Sequence, residues 1–189
     1  LLDQYRSRYP GVEIQLHTGD TALSIQRVLG EQEDIGIAAR PDRIPEKLTF
    51  RAIRSSPLIF IAPRSPSVLR DTLDKCKKEQ APLPWERIPM ILSESGIARD
   101  RVDRWFEERG IRPNIYAQVG GNEAIVSMVS LGFGVGVVPQ LVVENSPMRS
   151  KIEMLDVQPS LEPFTIGLCV LRRKLSNPLI KAFWDLSQD

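Results

Sequence analysis

The sequence predicts an α/β fold, and three observations carry that prediction. Strand-like and helix-like apolar patterns alternate along nearly the whole chain, the arrangement that builds mostly parallel sheets flanked by helices. Helical patterns stop at glycine or proline, residues that end helices for steric reasons. Three predicted strands run into turns of small polar residues that open a helix, and open α/β sheets bind ligands at such strand exits. The 189 residues, 42% of them apolar, suffice for one α/β unit or two small lobes.

Leu2, Tyr5 and Tyr9 have rough helical spacing that Pro10-Gly11 ends, and Val12, Ile14 and Leu16 then alternate as a strand. After HTGD, the residues Ala22, Ile25, Val28 and Leu29 share one helical face, with Gly30 near its end. DIGIAAR, ending at Arg40, is a short buried strand. Residues 48–62 read as two extended pieces broken by Ser55-Ser56-Pro57, and APLPWERIP reads as a proline-rich surface connection. MILSES is the next strand, followed by a helix in which Val102, Trp105 and Phe106 face inward before Gly110. Asn114 to Val119 is strand-like, as is 164–171, and Leu179, Ala182, Phe183 and Leu186 form a closing helix after Ser176-Asn177-Pro178. The chain contains no internal repeat or low-complexity tract.

The stretch VGGNEAIVSMVSLGFGVGVVP, 119–139, holds five glycines and raises the question of a phosphate loop. Such a loop needs its glycines between a strand and the helix that follows, where free N–H groups point at the anion. Here Ala124, Met128 and Leu131 recur at helical spacing, with Ile125 and Val129 in the same stripe, so 122–131 reads as a helix. Gly132, Gly134 and Gly136 come after it. Gly132 suits a helix C-terminus, and Val135 to Val138 reads as a short buried strand stopped by Pro139. That order has the wrong polarity for a phosphate loop. Gly120 and Gly121 do lie between a strand and a helix, with Asn122 as a candidate N-cap and Glu123 suited to the first turn.

Twenty-five Lys plus Arg against 24 Asp plus Glu give a net charge of +1, without the basic surplus of a nucleic-acid-binding domain. Any DNA contact is therefore expected outside this chain. Cys76 and Cys169 stand far apart with no CxxC partner, which points to neither a disulfide framework nor a zinc site and fits a reducing compartment; a single bridge between them stays open. No apolar run approaches the ~20 residues that span a bilayer, and LLDQYRSRYP lacks the basic-then-apolar order of a signal peptide. The abrupt start in a helical pattern is read as that of a fragment.

The three strand-exit turns are the candidate ligand site. They contribute Thr18, Gly19, Asp20 and Thr21; Ser93, Ser95, Gly96 and Arg99; and Gly121, Asn122 and Glu123. Taken singly, Asp20, Ser95 and Asn122 are explained equally by helix N-capping; three such turns together favour a shared cleft. A cation at Arg99, in a helix's first turn, opposes the helix dipole unless an anion lies close. That anion is either a ligand or a neighbouring carboxylate, Glu94 or Asp103. Arg40, at the end of its strand, is a second cation for a carboxylate, or a surface charge. Catalytic constellations are scarce. His17 is the only histidine and reads as structural, Asp20 and Glu123 are explained by capping, and neither a zinc spacing nor a Walker loop is present. No catalytic residue, metal or cofactor is expected, and the chain is not read as an enzyme.

RYPGVEIQLHTGD, the helix after it, GEQEDIGIA, PLIFIAP and MVSLGFGVGVVP resemble, in order and spacing over nearly the whole chain, the effector-binding domain of LysR-type transcriptional regulators. The resemblance implies two lobes of the type 2 periplasmic-binding-protein kind joined by two crossing strands, with 1–58 and 164–189 in lobe I, 59–163 in lobe II, and an effector between them. It implies cytoplasmic localisation, a homodimer or homotetramer pairing lobe I with lobe II, and RNA polymerase as a partner. DNA would be bound by a winged helix-turn-helix domain which, with its linker helix and a first strand, is expected before Leu1. HTGD, VGGNEAIVSMVSLGFGV, ENSP and NPLIKAFW resemble the branch that activates branched-chain amino acid synthesis. For that branch the implied effector is 2-acetolactate or 2-aceto-2-hydroxybutyrate. Two departures stand out: GEQED is one residue longer than the family's usual spacing, and Ser65-Pro66 replaces a common His-Pro. The rival reading is a periplasmic solute-binding protein of the same architecture, which would carry an export signal instead of a helix-turn-helix.

Overall fold

The computed structural model describes residues 1–17 and 21–187, without the side chains of Thr21, Ala22 and Phe164. Its elements run α1 (Leu2–Arg8), α2 (Thr21–Leu29), β1 (Ile35–Ala39), β2 (Leu48–Ser56), β3 (Leu58–Pro63), α3 (Val68–Glu79), β4 (Pro89–Ser93), α4 (Ile97–Glu107), β5 (Asn114–Val119), α5 (Asn122–Ser130), β6 (Val135–Pro139), α6 (Gln140–Glu144), β7 (Ile152–Leu155), β8 (Phe164–Leu171) and α7 (Pro178–Leu186). The chain forms two compact units, Leu1–Ser55 with Thr165–Asp189, and Ser56–Phe164.

The first unit is built on a three-stranded sheet in the order β1-β8-β2. β8 is apolar on both faces because both are covered. Cys169 and Leu171 pack with Val28, Ala38 and Leu48 beneath α2, while Leu168 and Val170 pack with Ile180 and Trp184 of α7. Gly36 permits the first of these layers: a Cβ there would lie 2.7 Å from Ser24 Oγ and 2.9 Å from Cys169 Sγ. α1 is tied to α7 by the Tyr5 hydroxyl, which donates to the Leu179 carbonyl at 3.1 Å, and by an edge-on contact between the Tyr5 and Phe183 rings.

The second unit holds a five-stranded sheet in the order β5-β4-β6-β3-β7. β3 separates its two faces by simple alternation. Ile61 packs with Ile91, Ile125, Val126, Val129 and Val138 under α5. Phe60 faces the other way, its ring 4.9 Å from Trp85 and 5.3 Å from Trp105, and Phe106 meets Trp105 edge-on at 5.0 Å. Such pairs contribute about 0.5–1.5 kcal/mol each beyond the area they bury.

The α/β class is as predicted, with mixed rather than mostly parallel sheets. β4 runs parallel to β5 and to β6, because α4 and α5 supply the crossovers that parallel neighbours require. β3 lies antiparallel to β6 and β7, and β1 antiparallel to β8.

Several local expectations change. Residues 12–17 form no strand, since among the described residues their alternation meets no neighbouring strand and Leu16 stays 70% exposed. The proline-rich stretch APLPWERIP is no surface connection, because Trp85 and Ile88 are buried in the core. Gly30 does follow the last residue of α2, as read, while the left-handed residue there is Glu31, at φ 59°. α5 stops at Ser130, leaving Leu131 71% exposed. Gly132, at φ 89°, then lets the Phe133 N–H reach the Met128 carbonyl at 3.2 Å and its own N–H reach Val129 at 2.9 Å, a Schellman ending. Gly134 and Gly136 serve packing, as a Cβ would lie 2.3 Å from the Pro89 carbonyl oxygen at the first and 2.5 Å from Ile125 Cγ2 at the second.

Candidate functional site

In the second unit, β4 and β5 lie side by side with Ser93 opposite Val119, and the Glu94 N–H donates to the Val119 carbonyl at 3.2 Å. The turns that leave these strands are therefore neighbours. They bring together Ser93, Ser95, Gly96 and Arg99 from one sequence stretch and Gly121, Asn122 and Glu123 from another.

Both helices that follow begin at glycine. Gly96 is the N-cap of α4 at φ 93° and ψ 175°, and Gly121 is the N-cap of α5 at φ 87° and ψ 140°. Side chains rarely adopt this backbone, which is why the N-caps predicted at Ser95 and Asn122 shift by one residue. Ser95 precedes the cap and is exposed, and Asn122 becomes the first helical residue, half-buried. A glycine cap has no side chain to accept from the first-turn N–H groups, so each helix presents donors and the positive end of its dipole beside the strand exits. Glu123 is exposed in the first turn of α5.

Arg99 links the two turns. Its Nε donates to both Asp103 oxygens at 2.9 and 2.8 Å, and Nη1 donates to the Ser93 carbonyl at 3.0 Å and to Gln118 Oε1 at 2.5 Å. The side chain is only 15% exposed, so these acceptors replace the water it loses. Of the two carboxylates weighed as partners, Asp103 is the one that pairs. Gln118 was not anticipated, since its role depends on the β4/β5 register; the available signal was a polar residue near the end of a strand leading into Gly-Gly.

The remaining candidates belong to the first unit. Arg40 is exposed just past β1, and its N–H donates to the Thr165 carbonyl at 2.8 Å. Thr21 opens α2; Thr18, Gly19 and Asp20 lie outside the described residues. His17 Nδ1 sits 3.7 Å from Glu33 Oε1, which also faces Arg27 Nε at 3.0 Å. Cys76 and Cys169 are both free thiols, and burial pushes the Cys169 thiol up to about 11. Among the described residues no group of three or more His, Cys, Asp and Glu could hold a metal, and no helix is long and apolar enough to cross a membrane. A groove of about 540 Å³ lined by Arg64, Val143, Pro147, Arg149, Ile152 and Met154 runs along β7, at the sheet edge opposite β5; it belongs to other elements than the strand exits.

The LysR substrate binding domain family matches residues 1–189. The HTH-type transcriptional activator IlvY of Haemophilus influenzae is 40% identical over 187 residues, covering 98% of this chain and 62% of that protein. The chain thus spans less than two thirds of that relative's length. Among solved structures, the regulatory domain of Synechocystis PCC6803 CcmR in complex with 2-PG superposes with a TM-score of 0.75 at 20% identity, covering 98% of this chain and 86% of that one. The effector-binding domain of QuiR in complex with shikimate gives the same TM-score, 0.75, at 20% identity, covering 98% and 86%. These structures establish the likeness of fold, and the relatives are regulators rather than enzymes. The chain belongs to the LysR substrate binding domain family and is similar over nearly its whole length to the HTH-type transcriptional activator IlvY.

Proposed function

We propose that this domain senses 2-acetolactate or 2-aceto-2-hydroxybutyrate and thereby controls transcription of branched-chain amino acid biosynthesis, in a cytoplasmic homodimer or homotetramer. DNA is gripped by a domain outside this chain, and RNA polymerase is the partner that reads the result. The observation that carries the reading is the pair of adjacent strand exits whose helices begin at glycine. A small acid placed there meets outward N–H groups for its carboxylate, and Ser93, Ser95 and Asn122 for its hydroxyl and keto oxygens. Thr18, Gly19, Asp20, Thr21 and Arg40 are the effector-binding residues proposed in the first unit, and Gly96, Arg99, Gly121 and Glu123 are further ones proposed in the second. The likeness to IlvY supports the choice of acid, and the shikimate seen in QuiR supports a hydroxy acid as the class.

An effector acts only through its preference for one state over another, here one arrangement that favours transcription. The test is titration of the purified domain with each acid, followed by DNA footprinting of the full-length protein. At a hundredfold excess over Kd, ligand linkage adds about 2.7 kcal/mol, which raises Tm by roughly 5–10 °C for a domain of this size. Neither acid shifting Tm or the footprint would show that the effector is something else.

A further inference from the structure

We infer that Arg99 is a positioning residue: its guanidinium locks the two strand-exit turns to each other, and Asp103 and Gln118 set effector affinity through it without touching the effector. This rests on the site reading above. Arg99 sits at the third position of α4, where a cation opposes the helix dipole. Asp103, one turn on, grips Nε with both oxygens, which offsets that penalty and fixes the plane of the guanidinium.

Nη1 then has two acceptors on different strands. Ser93 O ends β4, and Gln118 Oε1 stands one residue from the end of β5. One rigid, planar group therefore fixes the spacing between the Ser93–Gly96 turn and the Val119–Gly121 turn. The backbone ties the two strands up to Ser93 and Val119 through the β4/β5 ladder, and beyond the ladder through Glu94 N–H to Val119 O. Because Gly96 and Gly121 are the residues most free to move, an anion site made of their helices' N–H groups needs such a brace. A lysine could not do this, having no fork to hold three acceptors in one plane.

Hydrogen exchange and acid titration on the intact domain test the inference together. Gln118 is exposed, so Gln118→Leu removes an acceptor without emptying the core. The expected result is faster exchange in both turns, 93–97 and 119–123, and roughly tenfold weaker acid binding, with Tm held near wild type. Gln118→Glu, which restores an acceptor at the same length, should restore protection in both turns; Arg99→Lys should not. Loosening of one turn alone, or of neither, overturns the brace. Full acid affinity in Gln118→Leu overturns its role in binding. A wild-type domain that binds neither acid defeats the site reading instead, and exchange still decides the brace.

Discussion

α3 and α4 begin alike and end up doing different things. Each carries an arginine at its third position and an aspartate four residues later, Arg70 with Asp74 and Arg99 with Asp103. In both, the aspartate relieves a cation placed at the wrong end of a helix. The surroundings differ. α3 is capped by Ser67, whose hydroxyl accepts from the Arg70 N–H at 3.1 Å, and Arg70 reaches a second carboxylate, Glu153 of β7, at 2.6 Å. α4 is led by Gly96 with no capping side chain, and beyond Asp103 its arginine meets, among the described residues, only the neutral oxygens of Ser93 and Gln118. The first start is closed by the protein's own groups; the second keeps its backbone donors for something else.

The largest expected effect separates the two arginines by stability. Arg70 is 9% exposed, and Arg70→Met strips the partner from Glu153 and Asp74, costing about 3 kcal/mol, the low end for a broken buried pair because Asp74 reaches solvent. Urea unfolding should register that loss while acid binding stays intact. Arg99→Met should cost less stability and more affinity, and equal stability losses would erase the distinction.

The helix starts give a sharper contrast. Gly96→Ala forces a side chain into backbone that only glycine adopts comfortably, costing about 2 kcal/mol, and moves the donors of α4. Ser67→Ala removes a cap for about 1 kcal/mol. Calorimetry should see both, whereas acid titration should respond to Gly96→Ala alone.

The smallest effect is on the acid limb of stability. Hydrogen bonding from Arg70 holds the Asp74 carboxyl below its ordinary value of 3.8. The ionised form is therefore favoured more in the folded state, so the contribution is complete above that value and disappears as pH falls through the lowered one. Asp74→Asn should flatten this portion of a stability profile measured below pH 4.

Sequence patterns exposed some of this and hid the rest for identifiable reasons. α5 and its Gly132 ending were legible because an apolar stripe and a left-handed glycine are local signals, and the strand exits were legible because strand, small polar turn and helix follow one another in the chain. α3 escaped notice although Leu69, Leu73 and Cys76 recur at i, i+4, i+7: that stripe is narrow, and the other buried residue of the helix is the charged Arg70. Trp85 was misread because prolines suggest a surface run, whereas its position is decided by three rings from two other elements, Phe60 of β3 and Trp105 and Phe106 of α4. The alternation of Val12, Ile14 and Leu16 specifies a face but not a neighbour, and without a neighbour there is no ladder. At the candidate site, residue types and turns were readable, while Gln118 required knowledge of which strand lies beside β4.

The place of β8 has a bearing on how the protein is made. It forms the middle of the first unit's sheet, yet it follows the entire second unit in the chain. A ribosome therefore releases everything the second unit needs before it delivers the strand that joins β1 to β2. Until then those two strands wait with open edges, the feature that makes nascent chains prone to aggregate. Premature termination upstream of Thr165 would yield a finished second unit attached to a half-built first one, so the first unit is completed only after the second has been delivered whole.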